Sequence, residues 1–295
     1  MSSESSSALL PSQLTSRQST VKANYQDIDH EDLALLHSLT GIKDEKELEG
    51  HINAVQKKAN QIHAYPCIGL MSFTKFNIKL FPHYERVISI PKTRNDAIFL
   101  DVGCCVGNSL RKAVSDGWPV EQTVGTDLHT EFWDIGHELF RSTPDSFPAG
   151  FVGGDLFNDD ILAQPNANTI ISHTKDLRSL TSLTPLRGGV AAIYVCNFFH
   201  LFNSEKQLEL ARRLASLLTQ SPGSVIFGSH GVTPSSNPGS ANPASFHSAE
   251  SFASMWTDVF EANTVEVFWE VKSRPKQRFS PLGRWDIIWW SVTRL

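Results

Sequence analysis

Cysteine is scarce and badly placed for crosslinking. The four cysteines among 295 residues are Cys67, Cys104, Cys105 and Cys196, and they form neither a paired CxxC motif nor a zinc-finger spacing with histidine. A disulfide framework and a structural metal are therefore not indicated, no metal site is expected, and a reducing, cytoplasmic setting is. Long basic runs are missing too. With 26 Lys and Arg against 31 Asp and Glu, the net charge of -5 leaves no footprint for a nucleic-acid backbone, so small molecules are the expected partners. No stretch approaches the roughly 18 apolar residues needed to span a bilayer, and "IIWWSV" near the C-terminus is far shorter, so no membrane is expected. Residues 1–20 are serine-rich with only Ala8 to Leu10 as an apolar group, which is too little for a signal-peptide core and suits a disordered tail.

Apolar residues at Leu33, Leu35, Leu36 and Leu39, then at Leu48, Ile52 and Val55, predict two amphipathic helices. Residues 21–92 read as a mainly helical N-terminal cap over the substrate region, with the aromatics Phe73, Phe76, Phe81 and Tyr84 either packing it onto the body or lining a pocket. From Ala97 onward short apolar runs alternate with amphipathic segments, the pattern of an α/β domain over 93–295. Seven strands are expected: 97–102, 122–127, 150–154, 190–196, 224–230, 264–271 and 285–293. The polar link "SRPKQRFSPLGR" between the last two predicts an antiparallel hairpin. A helix after the fourth strand is marked by Ser204 and Gln207 as a capping box and by the stripe Leu208, Ala211, Leu214 and Leu218.

The stretch "IFLDVGCCVG" at 98–107 is a strand running into a small-residue loop. There the backbone can approach a ligand and the next helix offers its positive end to an anion. A dinucleotide loop needs G-x-G-x-x-G, but counting from Gly103 the later glycine positions hold Cys105 and Asn108. A nicotinamide reductase is disfavoured further because none of Tyr25, Tyr65, Tyr84 and Tyr194 has a lysine four residues later. Asp127 ends the next strand twenty residues beyond Gly107, the spacing that sets a carboxylate beside ribose hydroxyls. Asp155, in "GGDLF", ends a third strand and can accept from an adenine amino group, with Leu156 packing on the ring.

Three acidic strand ends in this order resemble the class I S-adenosylmethionine-dependent methyltransferases, with "LDVGCCVG", "VGTDL" and "GGDLF" as the matching motifs. The resemblance implies a Rossmann-like, mainly parallel seven-stranded sheet ending in an antiparallel hairpin, with S-adenosyl-L-methionine across the strand ends. It implies cofactor contacts at Asp101, Gly103, Cys104, Gly107, Asp127, Leu128, Asp155, Leu156 and Asn197. The chain departs from the pattern at Cys105, where the family has glycine. "YPCIG", "FPHY", "NFFHLF" and "FHSAESFASMWTDV" add a narrower likeness: the sequence is similar to the fungal meroterpenoid methyltransferases of the austinol-pathway type, which methylate a carboxyl group to a methyl ester.

Methyl transfer by in-line displacement asks mainly for alignment and exclusion of water. A carboxylic acid with a pKa of roughly 4 is already ionised near neutral pH, whereas a phenol near 10 gains from a general base. His200 in "NFFHLF" is the candidate catalytic residue, as a substrate contact or acid/base, or else a packed structural histidine. Asn197 is a cofactor or pocket contact, or satisfies local backbone. Lys75 and Lys79 are candidates to meet an acceptor carboxylate, against a solvated surface role. Cys104 and Cys105 read as loop packing. The expected activity is O-methylation of a small polyketide or meroterpenoid acceptor, most simply a carboxylate. A phenol methyltransferase and a catalytically silent cofactor-binding protein stand as alternatives, and a homodimer is allowed.

Overall fold

A computed structural model describes residues 24–165, 176–232, 247–272 and 286–295. The N-terminal tail and the polar link after residue 272 lie outside the described residues. The chain divides between Lys75 and Phe76 into two compact units.

The first unit contains α1 (His30–Thr40) and α2 (Glu45–Ile62). Each starts at an aspartate whose side chain accepts from a first-turn N–H: Asp29 from Asp32 and Asp44 from Glu47. Gly41 closes α1 in a left-handed conformation (φ 71°). Leu48, Ile52, Val55 and Ala59 form the fully buried stripe of α2. An open cavity of about 420 Å³, lined by Tyr25, Asn53 and Lys57 among others, belongs to this unit alone.

The second unit is built on a seven-stranded sheet: β1 (Ile98–Val102), β2 (Thr123–Asp127), β3 (Gly150–Gly153), β4 (Val190–Cys196), β5 (Val225–Val232), β6 (Val265–Lys272) and β7 (Asp286–Arg294). Their order is β3-β2-β1-β4-β5-β7-β6. The first five strands pair in parallel, and β7 runs antiparallel to both β5 and β6. The expected α/β architecture with a C-terminal hairpin is present, each strand within two residues of its predicted bounds. This agreement follows from burial on both faces, which gives central parallel strands continuous apolar runs. Along β1, Leu100 and Val102 enter one core with Ile193, Leu210 and Trp256, while Phe99 enters the opposite core with Trp118, Tyr194 and Phe227.

The longer helices of this unit are α3 (Asn108–Ser115), α4 (Glu131–Leu139), α5 (Ser204–Leu217) and α6 (Ala249–Val259). The cap of α5 falls one residue earlier than expected: the Asn203 side chain accepts from the Lys206 N–H at 2.9 Å, and the Gln207 side chain donates to the Phe202 carbonyl. Asparagine competes as well as serine for this position. Residues 76–92, grouped in the sequence with the helical cap, pack in the second unit. There Ile78, Phe81, Tyr84, Val87 and Ile90 join the core that contains Phe99 and Phe227. Phe81 meets Phe227 at 4.9 Å between ring centroids. No helix among the described residues is long and apolar enough to cross a membrane.

Candidate functional site

Parallel strands β1, β2, β3 and β4 end side by side, so the residues just after them share one edge of the sheet. The predicted residues Asp101, Gly103, Cys104, Gly107, Asp127, Leu128, Asp155 and Asn197 all lie at or beside that edge. The loop after β1 is held from within. The Gly103 and Cys104 N–H groups both donate to the Thr126 carbonyl (2.8 and 3.0 Å), and the Gly107 N–H donates to the Cys104 carbonyl (2.8 Å). These three N–H groups are therefore engaged within the protein, and what remains for an anion is the start of the following helix.

Asp127 is the clamp. Its Oδ2 accepts from the Cys105 N–H at 2.8 Å and its Oδ1 from the His129 N–H at 3.0 Å. Burial pushes its carboxyl upward, while these N–H donors oppose the shift. Each carboxylate oxygen has a further lone-pair direction, so the group can hold the loop and still accept from two hydroxyls. Cys105, the departure from glycine, adopts a left-handed backbone (φ 50°), which is uncommon for a side chain other than Asn, Asp or Gly. The backbone shape survives without the glycine because the Asp127 carboxylate holds the Cys105 N–H. Cys104 faces inward: its Sγ lies 2.9 Å from where a Cβ on Gly125 would stand, and burial drives its thiol well above the usual range. It can contact a ligand only through its backbone, and neither cysteine forms a disulfide.

Asp101 ends up buried, 3% exposed, under the same loop. Burial, followed by the neighbouring Asp127 charge, raises its carboxyl to about 8, against the opposing hydrogen bond from the Leu110 backbone in the first turn of α3. Its Oδ2 has no hydrogen-bond partner in the described structure. A buried, unsatisfied carboxyl oxygen beside a ligand loop fits a donor such as an ammonium group.

The two loop glycines have different neighbours. A Cβ on Gly103 would stand 2.7 Å from Phe198, and one on Gly107 would stand 2.8 Å from Trp133, which stacks on Phe151 at 4.9 Å. Gly107 therefore seats the α4 tryptophan as well as turning the chain (φ 70°). Asp155 is exposed and binds its own Phe157 N–H at 2.9 Å. Leu156 is 4% exposed and belongs to the main core, so its expected packing on an adenine ring is not what its side chain does here. Leu128, 58% exposed, is an apolar side chain accessible at this edge.

After β4, Asn197 turns the chain with φ 51°, its N–H donating to the Ser229 carbonyl at 2.7 Å. His200 follows in a short helical turn, and burial lowers its imidazole to about 4. Sequence reasoning missed its neighbour His230 on β5, whose ring lies 6.5 Å from His200 between centroids. The Trp290 indole N–H donates to His230 Nδ1 at 3.2 Å, and Phe199 and Phe252 pack around the ring. Indole only donates, so neutral His230 carries its proton on Nε2. A histidine inside the apolar run "VIFGSHGV" was the available signal. Lys75 and Lys79 are both half-buried, each in a different unit. No group of three or more metal-ligating side chains occurs among the described residues.

A seven-stranded sheet with a C-terminal antiparallel hairpin and aspartates at the ends of its parallel strands agrees with the class I methyltransferase fold, and the comparisons show the family. The family model of the meroterpenoid methyltransferase N-terminal domain matches residues 21–74, which lie within the first unit. O-methyltransferase phiE of a fungal species (strain ATCC 74256) is 30% identical over 227 residues, covering 76% of this chain and 68% of that protein. O-methyltransferase atr3 of Stereocaulon alpinum is 32% identical over 206 residues, 70% of this chain and 53% of its own length. The Asnovolin E/Chermesin D methyltransferase nvfJ of Aspergillus novofumigatus is 31% identical over 185 residues, 62% of this chain and 58% of its own. This chain thus spans little more than half the length of the last two. It belongs to the family of fungal S-adenosylmethionine-dependent O-methyltransferases to which phiE belongs.

Proposed function

We propose that the protein transfers a methyl group to a carboxylate of a small polyketide- or meroterpenoid-type acid, giving a methyl ester. S-adenosylmethionine would supply an electrophilic methyl on a charged sulfur. Asp127 would hold the ribose hydroxyls, Asp155 would accept from the adenine amino group, and Asp101 would take the ammonium group. Leu128 replaces Leu156 as the apolar contact for the base.

The observation that carries the carboxylate reading is His200. With its imidazole lowered to about 4 by burial, it is neutral at pH 7 and a poor proton acceptor. Taking a proton from a phenol near pH 7 asks for a base with a pKa close to the working pH. A carboxylate has no proton to lose, so a neutral imidazole need only donate or accept one hydrogen bond that orients the acceptor oxygen. The match of residues 21–74 to the meroterpenoid family model supports the narrower acceptor class.

Purified protein supplied with methyl-labelled S-adenosylmethionine and matched panels of carboxylic acids and phenols tests this. Label is expected in products of the acids, released by mild base as methanol. Label that survives ester hydrolysis would overturn the assignment.

A further inference from the structure

We propose that Phe198 is the surface on which the charged sulfur of the cofactor rests, so that this contact favours the cationic methyl donor over the neutral thioether left after transfer. The inference rests on the reading that S-adenosylmethionine lies across Gly103 at the strand ends.

Phe198 is set there by its neighbours. The left-handed Asn197 ends β4 and turns the chain, and the Phe198 ring then lies over the loop of the adjacent strand. Its Cδ2 and Cε2 atoms are 2.7 and 3.1 Å from where a Cβ on Gly103 would stand, so Gly103 is the residue that admits the ring. Phe202 braces it edge-on at 5.3 Å, and Phe157, beside Asp155, braces Phe202 edge-on at 5.0 Å. Phe198 is half-buried, and the glycine it covers stands in the loop between Asp101 and the Cys105 N–H that Asp127 holds.

A sulfonium offers no N–H or O–H for these carboxylates to accept, and two of the three already bind backbone donors: Asp127 those of Cys105 and His129, Asp155 that of Phe157. The negative face of an aromatic ring attracts a cation without needing a hydrogen bond. During transfer an acceptor-oxygen lone pair forms the new O–C bond, the S–C bond breaks, and its electron pair stays on sulfur. The charge disappears, and the attraction to the ring goes with it. Phe198 would therefore favour binding of the donor and release of the spent product.

The test is calorimetric titration of the full chain with S-adenosylmethionine and, separately, S-adenosylhomocysteine. Phe198→Leu should weaken the charged ligand by about 3- to 30-fold and the neutral one by less than about twofold, the range expected of a cation on a ring face. Phe198→Tyr, which keeps the face, should preserve the wild-type ratio. Phe198→Met provides a second ringless variant should the leucine protein fail to fold, and thermal melts check both. Equal losses for the two ligands would overturn the proposal and make the ring a matter of shape alone. Tighter binding of both would also overturn it, since the ring would then be an occupant of the cofactor's place. If the unaltered protein bound neither ligand, the cofactor reading itself would fall, and this inference with it.

Discussion

The loop after β1 and the turn after β4 meet at Gly103 and Phe198, but they are built in different ways. In the first, main-chain N–H groups close on Thr126, Cys104 and Asp127, and small residues matter for what they leave room for. In the second, Asn197 takes up the backbone turn and the working material is side chains: Phe198, His200 and, from β5, His230 held by Trp290. The backbone-built side tolerates Cys105 because the clamp is a carboxylate reaching across from β2. The side-chain-built side has less latitude, since each ring is fixed by the next: Phe198 by Phe202, and His230 by Phe252.

Removing the clamp should break the comparison most visibly. Asp127→Ala is expected to abolish measurable cofactor binding and to lower the apo protein's stability by about 1–3 kcal/mol, because the Cys105 and His129 N–H groups lose their acceptor. The sequence alone suggests that the apo protein would melt unchanged, with Asp127 idle until ribose arrives. The two hydrogen bonds correct that expectation. Thermal melts beside calorimetry check both parts, and an unshifted apo melt would mean that the loop holds itself.

A pH-dependent effect separates Asp101 from Asp127. The Asp101 carboxyl is raised to about 8 in the folded chain, against roughly 4 when unfolded. Between those values the native state carries a proton that the unfolded state lacks, so stability falls as pH rises from about 4 to 8. Asp101→Asn should remove this slope, matching the unaltered apo protein near pH 4 and melting several degrees higher at pH 8. Parallel melting curves across that range would show that the carboxyl is ionised throughout.

The sheet was legible because strands buried on both faces leave unbroken apolar runs such as "VAAIYVC", and because aspartates at strand ends interrupt those runs abruptly. The positions of Asp101, Asp127 and Asp155 followed from that alone. What the side chains do there was less legible. Nothing in the sequence of "GGDLF" distinguishes a leucine facing a ligand from one turned into the core, as Leu156 is. The division at Lys75 was hidden for a similar reason: the aromatics of 73–84 form one continuous compositional stretch, yet Phe73 and Phe81 belong to different units. His230 escaped notice because its partner Trp290 is sixty residues away, on an antiparallel strand. Long-range pairings of this kind depend on sheet order, which local patterns do not carry.

The most direct measurement of the central claim is the pH–rate profile of His200→Gln beside that of the unaltered enzyme, with cofactor and acceptor affinities determined for both. If the acceptor is a carboxylate and His200 a neutral orienting group, the variant should keep its rate to within about tenfold, with a profile of the same shape between pH 6 and 9. A loss of about 10²- to 10⁴-fold at pH 7, recovering as the pH rises and the acceptor ionises unaided, would contradict the account and make His200 a general base.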